Sequence, residues 1–267
     1  RPDVVNDEIN TFLAMCEQTG KTFPKWEMTG DYTSCMVGDP GVSVVVDAYM
    51  KGIRKYDVEQ AYAIAKRTAT GPNSTRDNLA EMNQYGYVPG SVRNAVSISL
   101  ENAYADWCIS RLAEALGKGE DAAVFRERSL NYKHLFDPSV GWMRQKDAHG
   151  NWMQFTDRYT YEEGHCESNA FQQSWFVPQD VQGLVDLMGE STFQSNLDEL
   201  FEGAEPNFGN GKYYRHGNEP DHQVVSLYNY VGQPWNTQYW PRQILERAYG
   251  TGYDGLCGSD DVGQISA

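Results

Sequence analysis

Val96-Ser97-Ile98-Ser99-Leu100-Glu101-Asn102-Ala103-Tyr104-Ala105-Asp106-Trp107-Cys108-Ile109-Ser110-Arg111-Leu112-Ala113-Glu114-Ala115-Leu116 sets how the rest of the chain is read. Leu100, Tyr104, Trp107, Cys108, Leu112, Ala115 and Leu116 recur at the spacing of one helical face. Upstream, Asp57 stands where a carboxylate accepts from the first free N–H groups of a helix, with Gln60 placed to reach back. Tyr62 and Ile64 carry that helix to about residue 70, and Gly71-Pro72-Asn73 stops it. The same periodicity predicts helices over 7–18, 42–51, 121–135, 169–188, 193–201, 224–230 and 235–249.

These helices come in pairs, joined alternately by short polar links and by longer loops rich in Gly and aromatic residues. The long loops include Tyr85-Gly86-Tyr87-Val88-Pro89, Gly141-Trp142-Met143-Arg144, His216-Gly217-Asn218-Glu219-Pro220 and Gly255-Leu256-Cys257-Gly258-Ser259-Asp260-Asp261. A run of helix hairpins without a fixed sequence period favours an all-α toroid over a regular solenoid. In such a toroid the loops gather at one end, where chemistry is expected. A short β-hairpin is expected within 141–155, around Asp147-Ala148-His149-Gly150-Asn151.

Composition excludes several classes of function. The 267 residues are 40% apolar, enough for a substantial core, and the net charge of −15 argues against nucleic acid or an anionic membrane surface as partner. No run of apolar residues is long enough for a membrane span. The five cysteines are widely spaced, with no CxxC pair, so neither a disulfide framework nor a zinc site is expected, and Cys108 reads as a small buried hydrophobe. The five histidines have no partners at metal-ligand spacing, Ser168 lies in no Gly-x-Ser-x-Gly elbow, and no phosphate-cradling loop appears. The chain opens at Arg1 without a leader and stops at Ala267 one turn into a helical pattern, which reads as a fragment at both ends.

Three acids stand out. Glu167, in Glu167-Ser168-Asn169-Ala170-Phe171-Gln172, and the pair Asp260-Asp261 sit in polar or Gly-rich loops with aromatic neighbours. Acid/base work on a neutral, hydroxyl-rich substrate needs one protonated and one ionised carboxyl. On the residues alone the bland alternatives stay open: Glu167 favouring a helix dipole, Asp260 and Asp261 capping the last helix, Glu219 solvated at the surface. Seven Trp and 17 Tyr supply rings for a sugar cleft or simply for a core.

The order and spacing of several segments resemble glycoside hydrolase family 92. They include Pro24-Lys25-Trp26, Gly86-Tyr87-Val88-Pro89, Gly141-Trp142-Met143-Arg144, Trp175-Phe176-Val177-Pro178, Gly217-Asn218-Glu219-Pro220, Pro234-Trp235-Asn236-Thr237-Gln238 and Asp260-Asp261-Val262-Gly263-Gln264, together with the Glu167 stretch. The resemblance implies an inverting, calcium-dependent exo-α-mannosidase acting on N-glycans or mannans, built from a β-sandwich and an (α/α)6 toroid. This chain would be a single domain over 1–267, most of that toroid, with the β-sandwich of the parent chain as its partner and export to the periplasm or the exterior.

Carried over by resemblance, Glu167 is the general acid and Asp261 the base that activates water, with Asp260 in the same acidic motif. Glu219 is a Ca2+ ligand and Gln223, four residues on, a second oxygen donor, while Trp26 lines the terminal mannose pocket. Ser259, Gln223, Gln179 and Phe171 depart from the family's usual residues and are expected to tune linkage preference or weaken catalysis. Two rival readings are another inverting (α/α)6 glycosidase, acting on α-glucosides without calcium, and a non-catalytic mannose-binding relative.

Overall fold

The computed structural model describes residues 1–26 and 35–258, and the chain packs as two compact units, 1–134 and 135–267. It is all-α with a short β-hairpin, as the periodicity predicts.

The first unit contains α1 (Pro2–Thr19), α2 (Pro40–Met50), α3 (Val58–Thr70), α4 (Leu79–Tyr85), α5 (Ala95–Ala115) and α6 (Gly119–Arg128). Asp57 caps α3 as expected, its Oδ1 accepting from Gln60 N at 2.9 Å, and the helix ends at Gly71. α5 is the central element, packing on α2, α3 and α6, and most of its 21 residues are buried. Ile109, Leu112 and Ala113 meet Ile9 and Leu13 of α1, Val42 and Val45 of α2, Ala61 and Ala65 of α3 and Phe125 of α6 in one core. The single apolar stripe expected for 96–116 is therefore too narrow: Ile109 and Ala113 belong to the core, whereas Ala115 is exposed. A helix enclosed on several sides must bury polar positions as well, and each then needs a partner.

Asp106 of α5 shows how that is met. Arg76, fully buried, donates from Nη1 to Asp106 Oδ1 at 2.7 Å and from Nε to Asp39 Oδ2 at 2.6 Å, while Arg128 Nε reaches Asp106 Oδ2 at 2.6 Å. Burial raises the Asp39 pKa, and the Arg76 guanidinium works against that shift. Such a network is costly to break, because removing one partner leaves an unpaired buried charge. Beside it, Lys25 binds Asp77 at 2.5 Å and fixes the segment that leads into half-buried Trp26.

The second unit opens on β1 (Phe136–Asp137), paired antiparallel with β2 (Trp142–Met143) in the register Phe136 to Met143 and Asp137 to Trp142. A bridge between Lys146 and Trp152 spans the expected turn, where Asp147 Oδ1 accepts from His149 N and Asn151 N. Then come α7 (Ala170–Gln173), α8 (Val181–Met188), α9 (Glu190–Glu202), a 3-10 helix (Glu219–Val231) and α10 (Pro234–Ala248). The one helix expected over 169–188 is broken between α7 and α8. Pro178 has no N–H to continue the ladder and disfavours helical geometry before it, and Asp180 Oδ1 then caps a fresh start by accepting from Gly183 N at 3.1 Å.

Candidate active site

Glu167 lies on the turn that enters α7. Asn169 caps that helix, its Oδ1 accepting from Gln172 N at 2.9 Å, and Trp175 Nε1 closes the turn by donating to Phe171 O at 2.7 Å. Beneath them Phe171 and Trp175 are fully buried, with Trp142 edge-on to both, its ring centroid 5.1 Å from that of Phe171 and 5.8 Å from that of Trp175. Trp175 also meets Phe193 of α9 edge-on. These aromatic rings form the floor of the loop; they do not line a sugar cleft. Arg158 lies over the Phe171 ring at 4.3 Å and pairs with Glu199, so cations finish the packing from the side.

Glu167 itself is exposed, yet its backbone is left-handed at φ 52°, a region that non-glycine residues enter rarely. Two side chains hold it there. Arg215 Nη1 donates to the Glu167 carbonyl at 3.1 Å, and Asn218 Nδ2 donates to the same oxygen at 3.5 Å. Three further bonds tie the same two stretches together. Asn169 Nδ2 reaches Lys212 O at 3.1 Å, and Gln172 Nε2 reaches Gly211 O at 2.9 Å and Tyr213 O at 2.6 Å. The loop over 211–218, which leads directly into Glu219, is thus stitched along its length to the stretch 167–172.

The grip is itself braced. Asn218 is buried, and buried Asp221 accepts from Arg215 N at 3.4 Å. Burial raises the Asp221 pKa well above the usual carboxylate range, opposed by the backbone bond and charge of Arg215. His216 is held between Tyr214 Oη at 2.8 Å and Tyr249 Oη at 2.7 Å and stacks on His222; burial and the neighbouring His222 push its pKa down to about 4. His165, fully enclosed beside the Glu167 turn, is lowered to about 4 by burial, with Nδ1 on Glu163 O at 3.1 Å. His165 and His216 are buried, and no cluster of three His, Cys, Asp or Glu able to hold a metal is present among the described residues.

Gly217 and Gly258 touch backbone to backbone. A Cβ on Gly217 would stand 2.9 Å from Gly258 Cα and 3.0 Å from Gly209 O, and a Cβ on Gly258 would stand 2.5 Å from Gly217 Cα. Gly258 is the last described residue, and Asp260 and Asp261 lie outside the described residues.

Of the candidates read from sequence, the second unit brings Glu167, Glu219 and Gln223 onto interlocked segments, and Trp26 belongs to the first unit. Glu219 is exposed and supplies a free hard-oxygen donor of the type calcium prefers. Gln223 Nε2 is occupied by Trp175 O at 3.0 Å, which leaves Oε1 as its remaining donor to a cation. Glu219 and Gln223 both lie on a 3-10 helix over 219–231, in which residues three apart eclipse. Calcium takes about six to eight oxygens. Glu219 and Gln223 fit its chemistry and supply a minor part of that number. Arg215 and the backbone role of Asn218 were not readable from sequence, since nothing in the residue string announces a left-handed Glu167. The only signal was Asn218's place beside Glu219 in Gly217-Asn218-Glu219-Pro220.

Residues 1–267 match the glycosyl hydrolase family 92 catalytic domain. A family GH92 α-mannosidase of Bacteroides thetaiotaomicron, solved with mannoimidazole, is 38% identical and superposes with a TM-score of 0.93 over 100% of this chain and 37% of its own. A family GH92 inverting mannosidase of the same organism is 34% identical, with a TM-score of 0.88 over 99% of this chain and 39% of its own. An uncharacterised secreted glycosidase of Arthroderma benhamiae is 26% identical in an alignment 263 positions long that covers 84% of this chain and 33% of that protein. The chain therefore spans between a third and two fifths of the length of these relatives. With its whole length matched to that catalytic domain and its fold shared with two mannosidases, the chain belongs to glycoside hydrolase family 92.

Proposed function

We propose that this chain is the catalytic portion of a secreted exo-α-mannosidase that removes terminal α-mannose from N-glycans or mannans with inversion. The observation that carries the proposal is the stitching of the 211–218 loop to the 167–172 stretch. It holds an exposed carboxyl group, Glu167, over a packed aromatic floor and bonds its stretch to the loop that leads into a second exposed carboxylate, Glu219. Membership of the family and the two mannosidases among its relatives support the substrate class. The secreted fungal relative supports export, and no helix among the described residues is long and apolar enough to cross a membrane.

In this reading Glu167 gives its proton to the glycosidic oxygen as the C1–O bond breaks. Asp261, with Asp260 beside it in the sequence, takes a proton from the water that attacks C1 from the opposite face. Single displacement requires the two carboxyl groups roughly 6.5–9.5 Å apart, leaving room for that water. Glu219 and Gln223 would hold calcium, which when bound engages vicinal hydroxyls and favours a flattened ring. Trp26 offers an apolar ring for the non-hydroxylated face of the sugar.

The test uses the full-length parent protein. Proton NMR of the first product from an aryl α-mannoside should show β-mannose, and exhaustive EDTA should abolish turnover until calcium is restored. First-formed α-mannose would exclude single displacement, and activity indifferent to EDTA would remove the metal from the reading.

A further inference from the structure

Among the described residues of the first unit, the carboxyl groups of Asp39, Asp77, Glu101 and Asp106 meet the cations of Lys25, Arg76 and Arg128. Lys25 pairs with Asp77 at 2.5 Å, Arg76 with Asp39 at 2.6 Å and with Asp106 at 2.7 Å, and Arg128 with Asp106 at 2.6 Å. Glu101 is left over. The charges of Asp39 and Lys25 reach it, yet its carboxyl group takes part in no hydrogen bond or ion pair. With every cation already committed, the group is electrically neutral only if Glu101 keeps its proton. Burial pushes the Glu101 pKa up to about 8, the charge of Asp39 adds to the shift and Lys25 opposes it.

The surroundings make room for that carboxyl group. Gly38 is left-handed at φ 79°, and a Cβ there would stand 2.8 Å from Glu101 Oε2 and 2.9 Å from Glu101 Cβ, so bare backbone is what admits the side chain. Asp39, next in the chain, is buried and keeps Oδ1 without a hydrogen-bond partner among the described residues. Lys25 leads directly into half-buried Trp26. A protonated carboxyl group offers one O–H donor and a carbonyl acceptor, a match for a single sugar hydroxyl, which likewise donates and accepts. Leaving both unmet in a half-buried position costs free energy that a bound hydroxyl would recover.

We propose that Glu101 is a substrate-binding residue whose carboxyl group hydrogen-bonds one hydroxyl of the mannose that packs on Trp26, and so helps to select that sugar. The inference rests on the α-mannosidase reading above and adds a polar partner to the apolar ring. The role is one of binding, shared by ground state and transition state, so its loss is felt in KM. In the full-length parent protein Glu101→Leu should raise KM for an aryl α-mannoside about tenfold with kcat little changed. Glu101→Gln keeps N–H donors and a carbonyl in nearly the same outline and should hold KM within about twofold of wild type.

Aryl α-mannosides that each lack one hydroxyl supply the readout that a structural role would not move. Wild type should pay a KM penalty for every hydroxyl it engages. In Glu101→Leu one of those penalties should vanish, because the missing hydroxyl no longer has a partner to lose, while the others remain. If Glu101→Leu does not fold, Glu101→Asp, which retracts the carboxyl group by one methylene, should show the same lost penalty. Wild-type KM in a folded Glu101→Leu, a KM for Glu101→Gln as high as that of Glu101→Leu, or the persistence of every penalty overturns the assignment; so does persistence in Glu101→Asp where Glu101→Leu is unfolded. A wild-type parent that cleaves no α-mannoside overturns the functional reading, and an active parent indifferent to these variants overturns the role of Glu101 alone.

Discussion

Glu167 occupies a backbone conformation that its own Cβ disfavours, at a cost on the order of 1–3 kcal/mol, and the surrounding structure must supply what keeps it there. Arg215 and Asn218 do so by donating to its carbonyl, and the shorter, charged bond is Arg215's. In the proposed reaction, releasing the carbonyl would let the turn relax towards ordinary φ values and turn the carboxyl group away from the glycosidic oxygen. Arg215→Ala is therefore expected to lower kcat on mannobiose roughly ten- to a hundredfold, because that leaving group needs a proton. Turnover of α-mannosyl fluoride, whose leaving group departs as an anion, should stay near wild type. Steady-state kinetics on the two substrates check this, and an equal loss on both would assign Arg215 to general stability.

At the scale of elements, the site depends on an aromatic floor. α7 is only four residues long and is held by what lies under it: Trp175 packed edge-on to Trp142 and Phe193, and Met143 N donating to Ser174 Oγ at 3.1 Å. Trp175→Ala empties a fully enclosed position and should destabilise the protein by about 3–5 kcal/mol. Urea unfolding measures this, and a loss below about 1 kcal/mol would show that the floor does not carry the loop. The sequence makes these elements partly legible. The Asp57 cap, the helix over 96–116 and the turn at Asp147 follow from local chemistry, and the structure has all three, with α5 buried on more than the expected face. The break at Pro178 was readable in principle, but the apolar spacing on both sides masked it. The 3-10 winding over 219–231 was not, because one period of apolar residues fits either helix at that length. Side-chain-to-carbonyl stitches between segments more than 40 residues apart leave no local trace.

At the scale of the whole molecule, the first unit encloses the Arg76, Asp39, Asp106 and Arg128 network among its helices, and the second braces the loop from Gly211 to Glu219 against the stretch 167–172. The family was legible from the order and spacing of motifs spread along the entire chain, which the match over 1–267 bears out. Residue roles were less legible, because a role depends on which way a carboxyl group faces and what holds it. In the proposed reaction, everything depends on Glu167 delivering a proton to the departing oxygen. The direct measurement is kcat of Glu167→Gln in the full-length parent protein, compared on mannobiose and on α-mannosyl fluoride. A loss of about 10²–10⁴-fold on mannobiose is expected, with the fluoride turned over at close to the wild-type rate. Near-normal hydrolysis of mannobiose by that variant would contradict it.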